Sequence, residues 1–121
     1  MELLSRGMII FFEVNMVSKR LKHQYEKLKQ KLLEIDFICM GSVVKVFQKC
    51  GKPYCRCHKD KKYRHGPYYF WTRKVNGKTV TRKLTPEEAT QCQQYIQNYR
   101  KLQSIIKSMQ KLSSLIMPWY H

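Results

Sequence analysis

Three cysteines, Cys50, Cys55 and Cys57, fall within eight residues of one another in the stretch CGKPYCRCHKDKKYRHGPYYF, Cys50 to Phe70. Thiolates this close can wrap one soft or borderline cation, and a histidine nearby completes a tetrahedral zinc site. His58 and His65 are both within reach along the chain. His65 leaves a seven-residue loop to close, whereas His58 directly follows a cysteine already in use. The expected ligands are therefore Cys50, Cys55, Cys57 and His65, with Zn2+ as cofactor. Gly51, Pro53, Gly66 and Pro67 suit a backbone that must turn sharply around a metal. The spacing C-x4-C-x-C-x7-H is less specific than the paired CxxC of a zinc ribbon. One alternative stays open: three free thiols in a lysine-rich turn, lowered in pKa by the surrounding cations and redox-sensitive.

A chain of 121 residues buries a modest core, so a metal or a partner chain would help stabilise it. Twenty-four lysines and arginines against eight aspartates and glutamates leave a net charge of +16. So large a surplus repels itself, and a polyanionic partner explains it most simply, nucleic acid ahead of an anionic membrane surface. Five cysteines is an odd count, and no signal peptide precedes them. That pattern points to a reduced, cytoplasmic protein that uses its thiols for metal rather than disulfides. The apolar run Met8–Phe12 is too short to span a bilayer. It reads either as a short buried segment or strand, or as part of an extension ahead of a start at Met16.

The expected fold class is α+β: an N-terminal helix, a small three-stranded antiparallel sheet carrying the Cys/His zinc knuckle, and a long C-terminal helix. Residues 1–13 carry little signal. Residues 14–36 form an amphipathic basic helix, with Val14, Val17, Leu21, Tyr25, Leu28, Leu32 and Ile35 at alternating steps of three and four. Residues 41–84 hold the knuckle and sheet. Gly41 breaks the helical period, and Ser42–Gln48 is rich in β-branched residues. Tyr68–Val75 and Lys78–Leu84 flank Asn76-Gly77, the strongest short hairpin signal, because a type I′ turn needs φ > 0 at both central residues. Residues 85–117 open with Thr85-Pro86-Glu87-Glu88, a capping box with proline in the first turn. Their apolar stripe is Cys92, Tyr95, Ile96, Tyr99, Leu102, Ile106, Met109, Leu112 and Ile116, with Cys92 a core residue rather than a ligand. A helix this long outruns so small a sheet, so the two seams are expected to pair, within a monomer or across a homodimer.

The hairpin turn fixes a register, which sorts the side chains onto two faces. One shows Tyr69, Trp71, Val75, Val80 and Leu84, interrupted by Arg73 and Arg82, and is the face expected to pack on a helix. The other shows Tyr68, Phe70, Thr72, Lys74, Thr79, Thr81 and Lys83, a composition suited either to a sugar–phosphate backbone or to plain solvent.

Gly41-Ser42, CGKPYCRC, HGPYYFWTRKVNGKTVTRKLTPEE and Tyr95…Asn98-Tyr99-Arg100 resemble a family of small basic bacterial and archaeal proteins. That family carries a domain of unknown function and is associated with mobile elements, near transposase genes. The resemblance covers about residues 41–101 and implies that the motif is a unit, its Cys and His positions falling on Cys50, Cys55, Cys57 and His65. More loosely, the strand–NG–strand–helix section is similar to the DNA-binding arm domains of integrases.

Three function classes follow. The first is a non-catalytic nucleic-acid-binding protein, DNA before RNA, acting as an accessory or regulatory factor of a mobile element. Lys52, Arg56, His58, Lys59, Lys61, Lys62 and Arg64 in the knuckle would meet phosphates, and Arg73, Lys74, Lys78, Arg82 and Lys83 would extend the footprint along the hairpin. Tyr54, Tyr63, Tyr68 and Phe70 would either stack on exposed bases or fill the small core. The second is an interaction subunit that docks through its helices onto a larger nucleoprotein or enzyme. The third, an enzyme, is disfavoured: Asp36 and Asp60 are the only aspartates, and the glutamates do not cluster as two-metal phosphoryl transfer requires.

Overall fold

The computed structural model describes residues 2–120, with side chains from Ser18 onward. Its elements are α1 (Glu2–Leu33), β1 (Ser42–Gln48), β2 (His65–Val75), β3 (Lys78–Leu84) and α2 (Pro86–Ile116). The strands form one antiparallel sheet in the order β1-β2-β3, so the α+β class stands. Helix α1 starts earlier than the apolar period implied. The run Met8–Phe12 is helical rather than a strand. No turn signal separates it from the periodic segment behind it, and an apolar run without such a break continues the neighbouring element. Its side chains, like those of Val14 and Val17, lie outside the described residues. The helix closes at Leu33 in a tightened turn, with Glu34 N–H donating to the Lys31 carbonyl (3.2 Å) and Ile35 N–H to that of Leu32 (3.1 Å).

The chain divides into two compact units, residues 1–35 with 101–121, and residues 36–100. In the first, α1 and the second half of α2 line two shallow clefts together, one of them flanked by Tyr25, Leu32, Ile106 and Met109. Leu21 and Ile105 are its buried side chains among the described residues. Here the expected stripe needs correcting. Ile105 is 6% exposed, whereas Ile106 and Ile116 are each 44% exposed. From Leu102 a step of three or of four is equally helical, and the step of three puts Ile105 on the line that continues to Met109 and Leu112.

In the second unit the register is the one set by Asn76 (φ 50°) and Gly77 (φ 78°). Val75 pairs with Lys78, Arg73 with Val80, Trp71 with Arg82 and Tyr69 with Leu84. The face with Tyr69 packs toward the start of α2, where Val43, Lys45 and Tyr69 border a cleft with Pro86, Ala89, Thr90 and Gln93. Ala89 and Ile96 are buried on the helix side. The start of α2 is a complete capping box: Glu88 N–H donates to Thr85 Oγ1 (3.1 Å), and Thr85 N–H to Glu88 Oε1 (3.0 Å). Those bonds from Thr85 hold the Glu88 carboxyl below the ordinary carboxylate range.

The segment between α1 and β1 is extended and pinned at successive points. Asn98 Nδ2 donates to the Phe37 carbonyl (2.8 Å), and Trp71 Nε1 to the Met40 carbonyl (2.8 Å). Cys39 N–H donates to the Tyr95 carbonyl (3.0 Å). Gly41 ends the segment at φ +102°, where a Cβ would run into the Thr72 carbonyl oxygen. Only glycine allows so close an approach.

Candidate metal centre

The β1–β2 connection turns through two short 3₁₀ segments, Arg56–His58 and Lys61–Tyr63. Asp60 caps the second, its side chain accepting from Lys62 N–H at 3.2 Å. Cys50 sits two residues past β1, and His65 is the first residue of β2, paired with Gln48 across an irregularity in the register. Gly66 makes that junction possible. It adopts φ +138°, and a Cβ there would meet the Val46 carbonyl oxygen at 2.8 Å and Phe47 at 3.2 Å. The two strand ends thus bring one histidine and one cysteine together, and the 3₁₀ turns deliver the other two cysteines.

All four expected ligands converge. One ligand atom from each of Cys50, Cys55, Cys57 and His65 lies within 4.8 Å of the others. Cys55 Sγ is 3.4 Å from His65 Nε2, and Cys57 Sγ is 3.6 Å from Cys50 Sγ. With metal–thiolate bonds of about 2.3 Å and metal–imidazole bonds of about 2.0 Å, a tetrahedral centre has S···S edges of about 3.8 Å and S···N edges of about 3.5 Å. The donor set and its spacing could therefore hold a metal ion.

The thiols are not equivalent. The Cys57 backbone N–H, followed by the His65 side chain, holds the Cys55 thiol down at about 6, so it is largely thiolate at neutral pH. Burial pushes the Cys57 thiol up, against a bond from the Cys50 N–H (3.3 Å). Cys57 is 1% exposed, the most buried side chain of this stretch. A metal cation would take its proton's place and offset the cost of burying the thiolate. His58 stays out of the cluster. Its Nε2 lies 2.9 Å from the Cys50 carbonyl, which braces the turn carrying the first ligand.

Around the cluster, Lys52, Arg56, His58, Lys59, Lys61 and Lys62 are exposed and Arg64 half-buried. Lys62 pairs loosely with Asp60 (3.8 Å), the one ion pair in this stretch among the described residues. Tyr63 lies beneath two cations, Lys62 at 5.1 Å and Arg56 at 5.6 Å, while Tyr54 is 82% exposed. The hairpin cations do not form one row. Arg73, Lys78 and Arg82 share the face of Tyr69, and Lys74 and Lys83 the opposite one. Arg73 stacks on Trp71 at 3.8 Å, and its Nη1 is buried without a hydrogen-bond partner. Lys83 lies over Tyr68 at 4.4 Å on the open face. Strand alternation separates them: neighbours within one strand, Arg73 and Lys74 in β2 or Arg82 and Lys83 in β3, point to opposite sides.

Fold and site together define a small α+β domain with a Cys3His cluster set into the turn of an antiparallel sheet. Residues 18–94 match the family described as a domain of unknown function, DUF6788, and the chain belongs to that family. No curated protein and no solved structure matches it. Among the described residues, no helix is long and apolar enough to cross a membrane.

Proposed function

We propose that the protein is a non-catalytic nucleic-acid-binding module, with DNA preferred to RNA, whose basic knuckle is pinned by one zinc ion. Three thiolates and an imidazole are the donors zinc favours, and four protein ligands leave no open position for a reacting water, as in structural rather than catalytic sites. The observation that carries the reading is the knuckle's uncompensated charge. Among the described residues, Lys52, Arg56, Lys59 and Lys61 are exposed without an ion pair around the Cys/His cluster. Zinc would hold these cations at set spacings, and a phosphate backbone is the partner that such an array neutralises. Lys74, Lys83 and the exposed Tyr54 extend the contact surface. The resemblance to proteins near transposase genes makes an accessory factor of a mobile element the concrete form of this reading.

Fluorescence anisotropy on single-stranded DNA, duplex DNA and RNA of one sequence tests it, with zinc-loaded protein between 50 and 200 mM salt. Affinity should fall steeply across that range, as release of counterions requires, by about 0.9 log units per log unit of salt for each phosphate met on duplex DNA. The triple variant Lys59→Gln, Lys61→Gln, Lys62→Gln should flatten that slope by two to three contacts' worth. Absence of binding at 50 mM salt sinks the proposal.

A second reading, docking onto a larger protein assembly or a second copy, rests on apolar exposure in the helical unit. Leu33 is 80% and Leu115 59% exposed. Docking of this kind would persist in high salt.

A further inference from the structure

Two of the five cysteines take no part in the metal cluster. Cys39 lies in the extended segment ahead of β1, and Cys92 lies two turns into α2. They are 53 residues apart in sequence, yet their Sγ atoms are 3.8 Å apart, and both side chains are half-buried. We propose that Cys39 and Cys92 form a reversible disulfide, a redox-modification site separate from the Cys/His cluster and loaded by exchange with a low-molecular-weight disulfide.

The two thiols are preorganised for the bond. A disulfide stabilises chiefly by limiting freedom, and its formation is opposed by the entropy of bringing two thiols together. Here that ordering is already done. The Cys39 backbone is hydrogen-bonded to Tyr95, one helical turn along from Cys92, and the chain is tied down on either side of it, at Phe37 by Asn98 and at Met40 by Trp71. Phe37 also rests on the Tyr95 ring, with centroids 5.7 Å apart. Closing from 3.8 Å to a covalent S–S bond shortens the gap by roughly 1.8 Å, the scale of a side-chain rotation rather than of a backbone shift.

The chemistry has an order. Burial, and after it the neighbouring Cys39, push the Cys92 thiol up to about 11, so Cys92 is the poorer first nucleophile. Cys39 thiolate attacks one sulfur of oxidised glutathione, forming a mixed disulfide and releasing one glutathione thiolate. That thiolate takes the Cys92 proton. Cys92 then attacks the Cys39 sulfur and expels the second glutathione. Two protein thiols and one glutathione disulfide become one protein disulfide and two glutathione thiols. The product fastens the segment 36–41 to α2 covalently.

The test uses the zinc-loaded full chain, equilibrated across ratios of oxidised to reduced glutathione, alkylated with iodoacetamide and mapped by mass spectrometry. The expected product is two hydrogens lighter, carries a Cys39–Cys92 linked peptide, keeps its zinc and reverts with dithiothreitol. Its thermal midpoint should rise by several degrees, and Cys39→Ser should abolish both the link and the rise. Recovery of Cys39 and Cys92 as alkylated or singly glutathionylated residues at the most oxidising ratio overturns the proposal. So does a link made through Cys50, Cys55 or Cys57 instead.

Discussion

The knuckle and the layer in which the sheet meets α2 belong to one compact unit, yet they are held by different physics. Around Ile96 and Ala89 the chain is ordered by burial, by the capping box at Thr85 and Glu88, and by backbone bonds that pin residues 36–41. The knuckle spends a comparable length of chain with one buried side chain, Cys57, and its hydrogen bonds are mostly local turns. Its large side chains, Tyr54 and Tyr63, face outward or lie beneath cations rather than filling a core. A loop with so little apolar burial, and with self-repelling charge, keeps one shape only if something else supplies the free energy. Four converging ligand atoms are suited to that. The knuckle and the fold should therefore come apart separately.

The largest effect is expected from withholding metal. A zinc chelator should abolish amide protection over residues 50–65 while leaving that of residues 69–84 and 89–100 nearly unchanged, read by hydrogen exchange. Cys57→Ser should weaken zinc by more than the roughly 10–100-fold that follows loss of a supporting contact behind a ligand. Simultaneous loss of protection in both regions would mean that they are one cooperative structure.

The converse experiment acts on burial. Ile96→Ala should lower unfolding stability by about 2–5 kcal/mol in a denaturant titration while shifting zinc affinity less than twofold. In the helical unit, Ile105→Ala should have an effect of the same order, and Ile106→Ala less than about 1 kcal/mol. Equal losses at the two positions would return the stripe to the line first expected.

The smallest effect lies at the start of α2. Thr85→Ala should lower stability by about 1 kcal/mol. The carboxyl of Glu88 is lowered in the folded state, so its contribution is present above the ordinary carboxylate range and disappears as acid titrates it through its depressed pKa. Urea midpoints for Glu88→Gln and the parent chain should therefore converge as the pH falls below that range, whereas the deficit of Thr85→Ala should largely persist, because the bond it loses is donated by the Glu88 backbone N–H.

What was legible in the sequence was local chemistry. Asn76-Gly77 fixed every hairpin pair because a type I′ turn leaves one register, and Thr85 with Glu88 announced a cap within four residues. The four ligands were legible because a metal demands residue types that are rarely close by accident. Two features were not. The choice between Ile105 and Ile106 depends on a crossing with α1 that spacing alone leaves degenerate. The ties from Asn98 to Phe37 and from Trp71 to Met40 join backbone carbonyls, which are the same in every residue, across 61 and 31 positions. The splitting of Arg73 from Lys74 was legible too, since the hairpin register already set them on opposite faces.

Native mass spectrometry of protein purified without chelator or affinity-tag metals tests most directly whether a metal organises the basic knuckle. One zinc per chain, lost in Cys57→Ser and retained in Cys92→Ser, is the predicted result. A metal-free chain with five titratable thiols would contradict it.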